Sequence, residues 1–253
     1  MNLNLNFFLL MFFVFLGGMI DSIAGGGGLI TIPAYINWGI DLNYLLGTNK
    51  LSSSTGTLVA TLRYLNELKF EKKYLLKVLL SSAFFSSSGV LFISIFPGHI
   101  IKIIIITVLP LISLYLLLSK KIMIKKFINL SKNQITKRTL IISSAASFYD
   151  GMLGPGTGTF LAIFYSNFLG YDILMATTLA KFTNLISNIS ALISFIILKR
   201  VNFEIGIIMG ITSAIGNYIG SIFAIKKGSL IINPLLVIVS NAIIIKIFID
   251  FIK

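Results

Sequence analysis

Cysteine is absent from the chain, which removes disulfides, zinc–thiolate sites and cysteine nucleophiles together. Histidine occurs once, at His99, in a short Pro-Gly-His turn between apolar runs, so no histidine-based metal centre or triad is expected. No Ser-x-x-Lys pattern occurs either, and the chain is expected to be neither an enzyme nor the holder of a cofactor. Charge is scarce, with 11% of residues ionisable as Asp, Glu, Lys or Arg, against about 25% in an average soluble domain. Acids are scarcer still, eight against 21 basic residues, for a net charge of +13.

What fills the chain is apolar: 56% of 253 residues, with a mean hydropathy of +0.96. A soluble domain of this size has no interior large enough to hide that surface, whereas lipid tails solvate it. The composition predicts an all-α integral membrane protein, one domain over 1–253, with the lipid bilayer as its partner. The basic residues gather between apolar runs, at Lys69, Lys72, Lys73 and Lys77 and again from Lys120 to Arg138. That is the pattern of cytoplasmic loops, and it places 63–77 and 119–138 on the cytoplasmic side. Basic and aromatic residues do not interleave in a polar segment, so nucleic acid is not expected as a partner. Phe7 to Ile20 lacks a preceding basic region and a following Ala-x-Ala-like site, and is expected to remain in the mature protein.

A helical span needs about 20 apolar residues. Candidate spans are 44–66, 74–96, 100–119, 173–198, 203–225 and 230–252. Two regions are irregular. Phe7–Ile20 and Leu29–Trp38 flank the segment from Asp21 to Gly28, and Leu140–Tyr149 and Thr159–Leu169 flank the segment from Asp150 to Gly158. Each flank is too short to span, so each pair is either one discontinuous helix or a re-entrant hairpin. The two regions align. Asp21, Gly25 and Gly27 precede Asp150, Gly154 and Gly156 by 129 positions, and Lys50, Lys69 and Gly89 precede Lys181, Arg200 and Gly220 by 131. The prediction is about eight hydrophobic helices in two homologous halves, about 1–119 and 139–253, joined by the basic loop 120–138, with the first helix of each half broken by its Gly-rich segment. Spanning broken helices make the halves parallel. Re-entrant ones make them inverted, with loop 199–204 outside and Lys226-Lys227 inside.

Irregular backbone at membrane depth is tolerated only where it lines a cavity or is buried in protein, and paired breaks mark a midplane site. Gly25, Gly26, Gly27 and Gly28, with Gly154, Gly156, Thr157 and Gly158, are candidate ligands through their amides. The helices that follow aim positive dipole ends at such a site, which suits an anion. Close helix packing by small residues is the alternative. Asp21 and Asp150 are candidates for proton coupling or gating, since intramembrane acids are costly and tend to be functional. The competing role is to cap the following turn or pair with a buried cation. Lys50 and Lys181 are candidates to attract the anion, the alternative being snorkelling to headgroups. Thr48, Asn49 and Ser52 to Ser54, and in the second half Asn184, Ser187 and Asn188, supply hydrogen bonds to an oxyanion or hold helices together.

Gly18-Met-Ile-Asp-Ser-Ile-Ala-Gly-Gly-Gly-Gly-Leu-Ile-Thr-Ile-Pro33, followed by Leu46-Gly-Thr-Asn-Lys50, resembles the first-half signature of the TauE/SafE sulfite exporter family. Tyr149-Asp-Gly-Met-Leu-Gly-Pro-Gly-Thr-Gly-Thr159, with Ala180-Lys181 and Asn184, resembles its second half. The resemblance covers nearly the whole chain. It implies a multi-pass transporter of the bacterial plasma (inner) membrane, a secondary carrier exporting a small anion such as sulfite or an organosulfonate. A passive anion channel and a structural subunit of a membrane complex are the alternatives from other classes.

Overall fold

The structure, a computed structural model, describes residues 5–64, 71–118 and 130–227. The candidate span 230–252 and most of the basic loop 120–138 lie outside them. Among the described residues there are nine helices and no strand: α1 (Leu5–Ala24), α2 (Gly28–Trp38), α3 (Leu42–Tyr64), α4 (Lys72–Ile93), α5 (Gly98–Leu118), α6 (Lys132–Met152), α7 (Thr157–Leu169), α8 (Ile173–Ile197) and α9 (Phe203–Lys227).

By length and composition, α1, α4, α8 and α9 can each cross a membrane. Their outer faces carry the exposed apolar residues, among them Leu76, Leu80 and Phe84 of α4 and Ile207, Ile211 and Ile215 of α9. The inside is the more polar part. α3 is 23 residues long, and its Thr48, Asn49, Lys50, Ser52, Ser54 and Thr57 are all buried. Apolar surface outside and polar residues inside is the arrangement a bilayer demands.

The regions around the glycine runs differ from the sequence expectation in one respect. α1 has 20 residues, which at 1.5 Å each reach about 30 Å, a full crossing. It continues past the apolar run through Asp21 to Ala24. α6 begins at Lys132, eight positions before its apolar run at Leu140. Its first turns are polar and are started by a capping box in which Ser131 and Gln134 satisfy each other's main-chain N–H. The glycines therefore follow a long helix rather than interrupt one. The helices after them, α2 and α7, are short, with 11 and 13 residues.

Each short helix folds back on the long one before it. The ring of Trp38, at the end of α2, meets Phe7, near the start of α1, edge-on at 6.2 Å. Arg138 in α6 donates to the Phe168 carbonyl of α7 at 2.9 Å, and Tyr149 packs on Phe160 at 5.9 Å. Both units are antiparallel hairpins, not collinear broken helices. The reversal is made by Gly25 in one and Gly154 and Gly156 in the other, which have φ of 79°, 96° and 81°, a region in which a Cβ is disfavoured.

Helix directions follow from the contacts. Against α8, α3 is antiparallel: Lys50 bonds Asn188, and Thr61 bonds the Lys181 carbonyl. With α9 it is parallel: the Asn202 amide donates to Thr48, and Arg63 lies over the Tyr218 ring. α1 is also parallel to α9, Gly216 facing Phe15 and Gly220 facing Met19. α4 is parallel to α6, from Glu71–Lys132 through Tyr74–Thr139 to Gly89 against Phe148. Gly98, just past α4, lies against Leu42 at the start of α3, so those two helices are antiparallel. Thus α1, α3 and α9 run one way and α4, α6 and α8 the other.

This arrangement has a direct check, for which the absence of cysteine is an asset. Lys132→Cys and Lys199→Cys, each the sole thiol, are expected to react with an impermeant maleimide from opposite sides of sealed vesicles. Labelling of both from one side would contradict the directions of α6 and α8.

Candidate functional site

Where the hairpins, α3 and α8 converge, the charges expected from the sequence pair crosswise. Lys50, in α3, places Nζ 2.8 Å from Asp150 Oδ2 of α6 and donates to Asn188 Oδ1 of α8 at 2.7 Å. Asp150 also accepts from Ser187 Oγ at 2.6 Å. Lys181, in α8, donates to the main-chain carbonyl of Asp21, and its Nζ lies 3.4 Å from Asp21 Oδ2. The other oxygen of Asp21 accepts from the Gly27 amide at 3.3 Å. Two cations and two carboxylates cancel, as groups held away from water must. The pairs are not alike in exposure: the side chains of Lys50 and Asp150 are 3% and 2% exposed, while that of Asp21 is 17% exposed.

The hairpin tips touch beside these pairs. Thr159 donates its amide to the Gly25 carbonyl at 3.2 Å and its hydroxyl to the Ala24 carbonyl at 2.5 Å. A Cβ on Gly25 would fall 2.6 Å from both Gly158 Cα and Thr159 N, and one on Gly154 would fall 3.0 Å from Lys50 Nζ. Glycine at these points lets backbone approach backbone and lets the tip close over the ion pair.

A cavity of about 20 Å³ lies among these groups, room for about one water molecule. Of the residues expected from sequence, Asp21, Gly25, Gly28, Asn49, Lys50, Ser53, Asp150, Gly154, Asn184 and Asn188 line it. Asn184 has its Oδ1 buried without a partner.

The remaining expected residues lie outside the lining. Gly26 is buried in the first tip, Gly27 spends its amide on Asp21, and Gly158 packs on Gly25. Gly156 precedes α7 in a left-handed conformation, and Thr157 bonds the Gly154 carbonyl at 2.8 Å. Thr48 holds the α8–α9 corner through Asn202, and Lys181 serves Asp21.

Sequence reasoning missed the tyrosine and threonine hydroxyls that brace the site. Tyr35 bonds Ser52 at 3.1 Å and Tyr165 bonds Thr183 at 3.0 Å. Thr31 bonds Asn49 at 2.6 Å, and Thr57 accepts from Asn188 at 3.2 Å. One signal was present for the tyrosines: each lies seven positions beyond a tip glycine, Gly28 or Gly158.

A helical, multi-pass chain with apolar outer faces and a charge-balanced polar centre between two glycine hairpin tips has the build of a membrane transporter. The model of the family described as Sulfite exporter TauE/SafE matches residues 10–247, and the chain belongs to that family. The "Probable membrane transporter protein ORF9" of Sinorhizobium sp is 39% identical over 256 residues, covering 98% of this chain and 95% of that protein. The "Probable membrane transporter protein YfcA" of Escherichia coli K12 is 33% identical over 248 residues, covering 95% and 89%. A "Probable membrane transporter protein" of Haemophilus influenzae is 31% identical over 243 residues, covering 95% and 94%. No solved structure matches the chain.

Proposed function

We propose that the chain is a secondary carrier that exports a small anion, sulfite or an organosulfonate, from the cytoplasm across the bacterial plasma membrane, coupled to proton movement. The observation that carries this reading is the buried Lys50–Asp150 pair against the hairpin tips. Lys50 is a cation that only a carboxylate now neutralises. When Asp150 takes up a proton, Lys50 keeps its charge and an anion replaces the carboxylate as its partner. Deprotonation of Asp150 restores the internal pair and expels the anion. Carboxylate and anion thus compete for one cation, so proton and anion load together and cross in the same direction, and export follows the anion's own outward gradient.

The cavity is too small for an oxyanion of several heavy atoms, so this conformation is a closed one, and parting of the hairpin tips makes the room. The partial exposure of Asp21 marks the side on which they part. In this reading 1–119 and 139–253 are homologous halves, and they are inverted. Its support is that helices aligned by the 131-residue offset, α3 with α8 and α4 with α9, run in opposite directions. The basic segments 63–77 and 119–138 then share the cytoplasmic side.

A ligand that binds only the folded state raises its stability by about 2.7 kcal/mol at a hundredfold excess over Kd. Purified protein is expected to be stabilised by sulfite or a sulfonate in a panel that also holds sulfate, thiosulfate, taurine and small carboxylates, and the shift is expected to vanish in Lys50→Met. Stabilisation by no anion in the panel contradicts the reading.

A further inference from the structure

Away from the charged centre, the second hairpin and the second half of α5 enclose an apolar groove of about 670 Å³. Single small ligands fill sites of about 300–1,000 Å³. One wall is a ladder of Phe160, Phe164 and Phe168, four residues apart on α7. The first two rings stack at 6.3 Å and the third meets the second edge-on at 6.0 Å. α6 adds Ile141, Ala145 and Tyr149, and α5 adds Leu111. Leu111, Ile141 and Phe168 are each more than half exposed, so the groove is open along one side.

Its two ends differ. At the inner end Tyr149 donates to the Pro155 carbonyl of the hairpin tip at 2.7 Å. At the other, one helical turn before Ile141, the exposed Arg138 donates to the Phe168 carbonyl at 2.9 Å. A guanidinium has five N–H donors, and this bond uses one. Lys137 is exposed beside it. The chain that enters α6 at this end carries Lys120, Lys121, Lys125 and Lys126, and no acid stands between Glu71 and Asp150 in the sequence. Glu71 pairs with Lys132. Arg138 and Tyr149 are about 16 Å apart along α6, about half of a 30 Å hydrocarbon core and so the depth of one leaflet.

Within a bilayer an apolar groove gains nothing from the hydrophobic effect, because lipid tails are as apolar as its walls. Selection then rests on shape and on the groups at the mouth. Basic residues clustered at the membrane edge, and basic pockets between helices there, attract anionic headgroups. A soluble anion would use the mouth and leave the groove empty. A lipid uses both.

We propose that this groove binds one anionic phospholipid, with an acyl chain along the phenylalanine ladder and its phosphate on Arg138. The site is separate from the Lys50–Asp150 centre and holds whatever the chain transports. Seated there, the lipid fastens α7 to α5 and steadies the hairpin whose tip closes on Gly25.

Protein stripped of lipid in detergent is titrated with phosphatidylglycerol and, separately, with zwitterionic phosphatidylethanolamine. Native mass spectrometry counts bound lipid, and the melting temperature follows stability. The parent is expected to hold one phosphatidylglycerol at least tenfold more tightly than phosphatidylethanolamine, and to melt higher with it. Arg138→Gln is expected to lose that preference, while Arg138→Lys, which keeps the charge, retains most of it. Ala145→Trp places a ring in the groove and is expected to weaken binding of phosphatidylglycerol tenfold or more. Ile211→Trp, on the exposed face of α9, is expected to leave it unchanged. Arg138 and Ala145 lie at different points of the groove, so a folding defect in one variant leaves the other decisive. Equal affinity of the parent for the two lipids overturns the proposal, since any chain then fills the groove. Unchanged binding in Ala145→Trp overturns it as well, by placing the headgroup on the basic segment without the groove. Anion flux is not read here, so the carrier reading stands or falls separately.

Discussion

Lys50→Met is expected to lower the stability of the protein by about 3–5 kcal/mol, the usual cost of leaving one partner of a buried ion pair alone. The substitution keeps the length of the side chain and removes its charge. Asp150 then remains almost fully buried with Ser187 as its hydrogen-bond donor, and Asn188 Oδ1 loses the Lys50 donor. The double variant Lys50→Met/Asp150→Asn removes the second charge as well, and most of the loss is expected to return. Denaturation of parent, singles and double in one detergent gives the coupling between the two positions. The exposed pair Lys132–Glu71, with side chains 92% and 76% exposed, provides the contrast: Lys132→Ala is expected to have no measurable effect. Additive losses at Lys50 and Asp150 would mean that the two groups do not act as a pair.

Gly25→Ala is expected to be the most damaging single methyl that can be added. Two costs coincide there. The residue has a φ of 79°, which costs an alanine about 1–2 kcal/mol, and the new Cβ has nowhere to go, since it meets the Gly158 and Thr159 backbone of the opposite hairpin. Backbone cannot rotate away as a side chain can, so the tips must part. Gly39 separates the two costs. Its φ is 93°, but a Cβ placed there has nothing within 4 Å. Gly39→Ala is therefore expected to lose only the backbone term and to yield folded protein. Gly25→Ala is expected to give little folded protein, or protein whose tips no longer close. Equal behaviour of the two variants in size-exclusion profile and melting temperature would show that the tip contact is not tight.

Much of this was legible because a bilayer leaves few options. A charge inside an apolar run must be paired, so Asp21, Lys50, Asp150 and Lys181 stood out, and all four meet at the centre. A run of glycine at membrane depth must face something close, and Gly25 does, against Gly158. Other features depend on contacts that composition does not encode. The crossing of partners, Lys50 with Asp150 rather than Asp21, joins positions 100 residues apart. Apolar runs understate the lengths of α1 and α6, because both helices continue through polar residues. The polar first turns of α6 are set by Ser131 and Gln134, a signal visible in the sequence. Hairpin against collinear helix was undecidable from periodicity, because the reversal lies in the φ of Gly25, Gly154 and Gly156. The hydroxyls of Ser82 and Ser147 look like those of any helix serine in sequence, and only their burial without a partner sets them apart.

Lys50 and Asp150 have two roles to be told apart, anion and proton site or mere brace. Proton-driven sulfite flux into proteoliposomes, per folded molecule, for the parent and for Lys50→Met/Asp150→Asn separates them. The double variant restores charge balance and most of the stability while removing both the anion's cation and the proton's carboxylate. The double variant is expected to be folded and its flux to have fallen at least a hundredfold. Flux equal to that of the parent would make the buried pair a structural element alone.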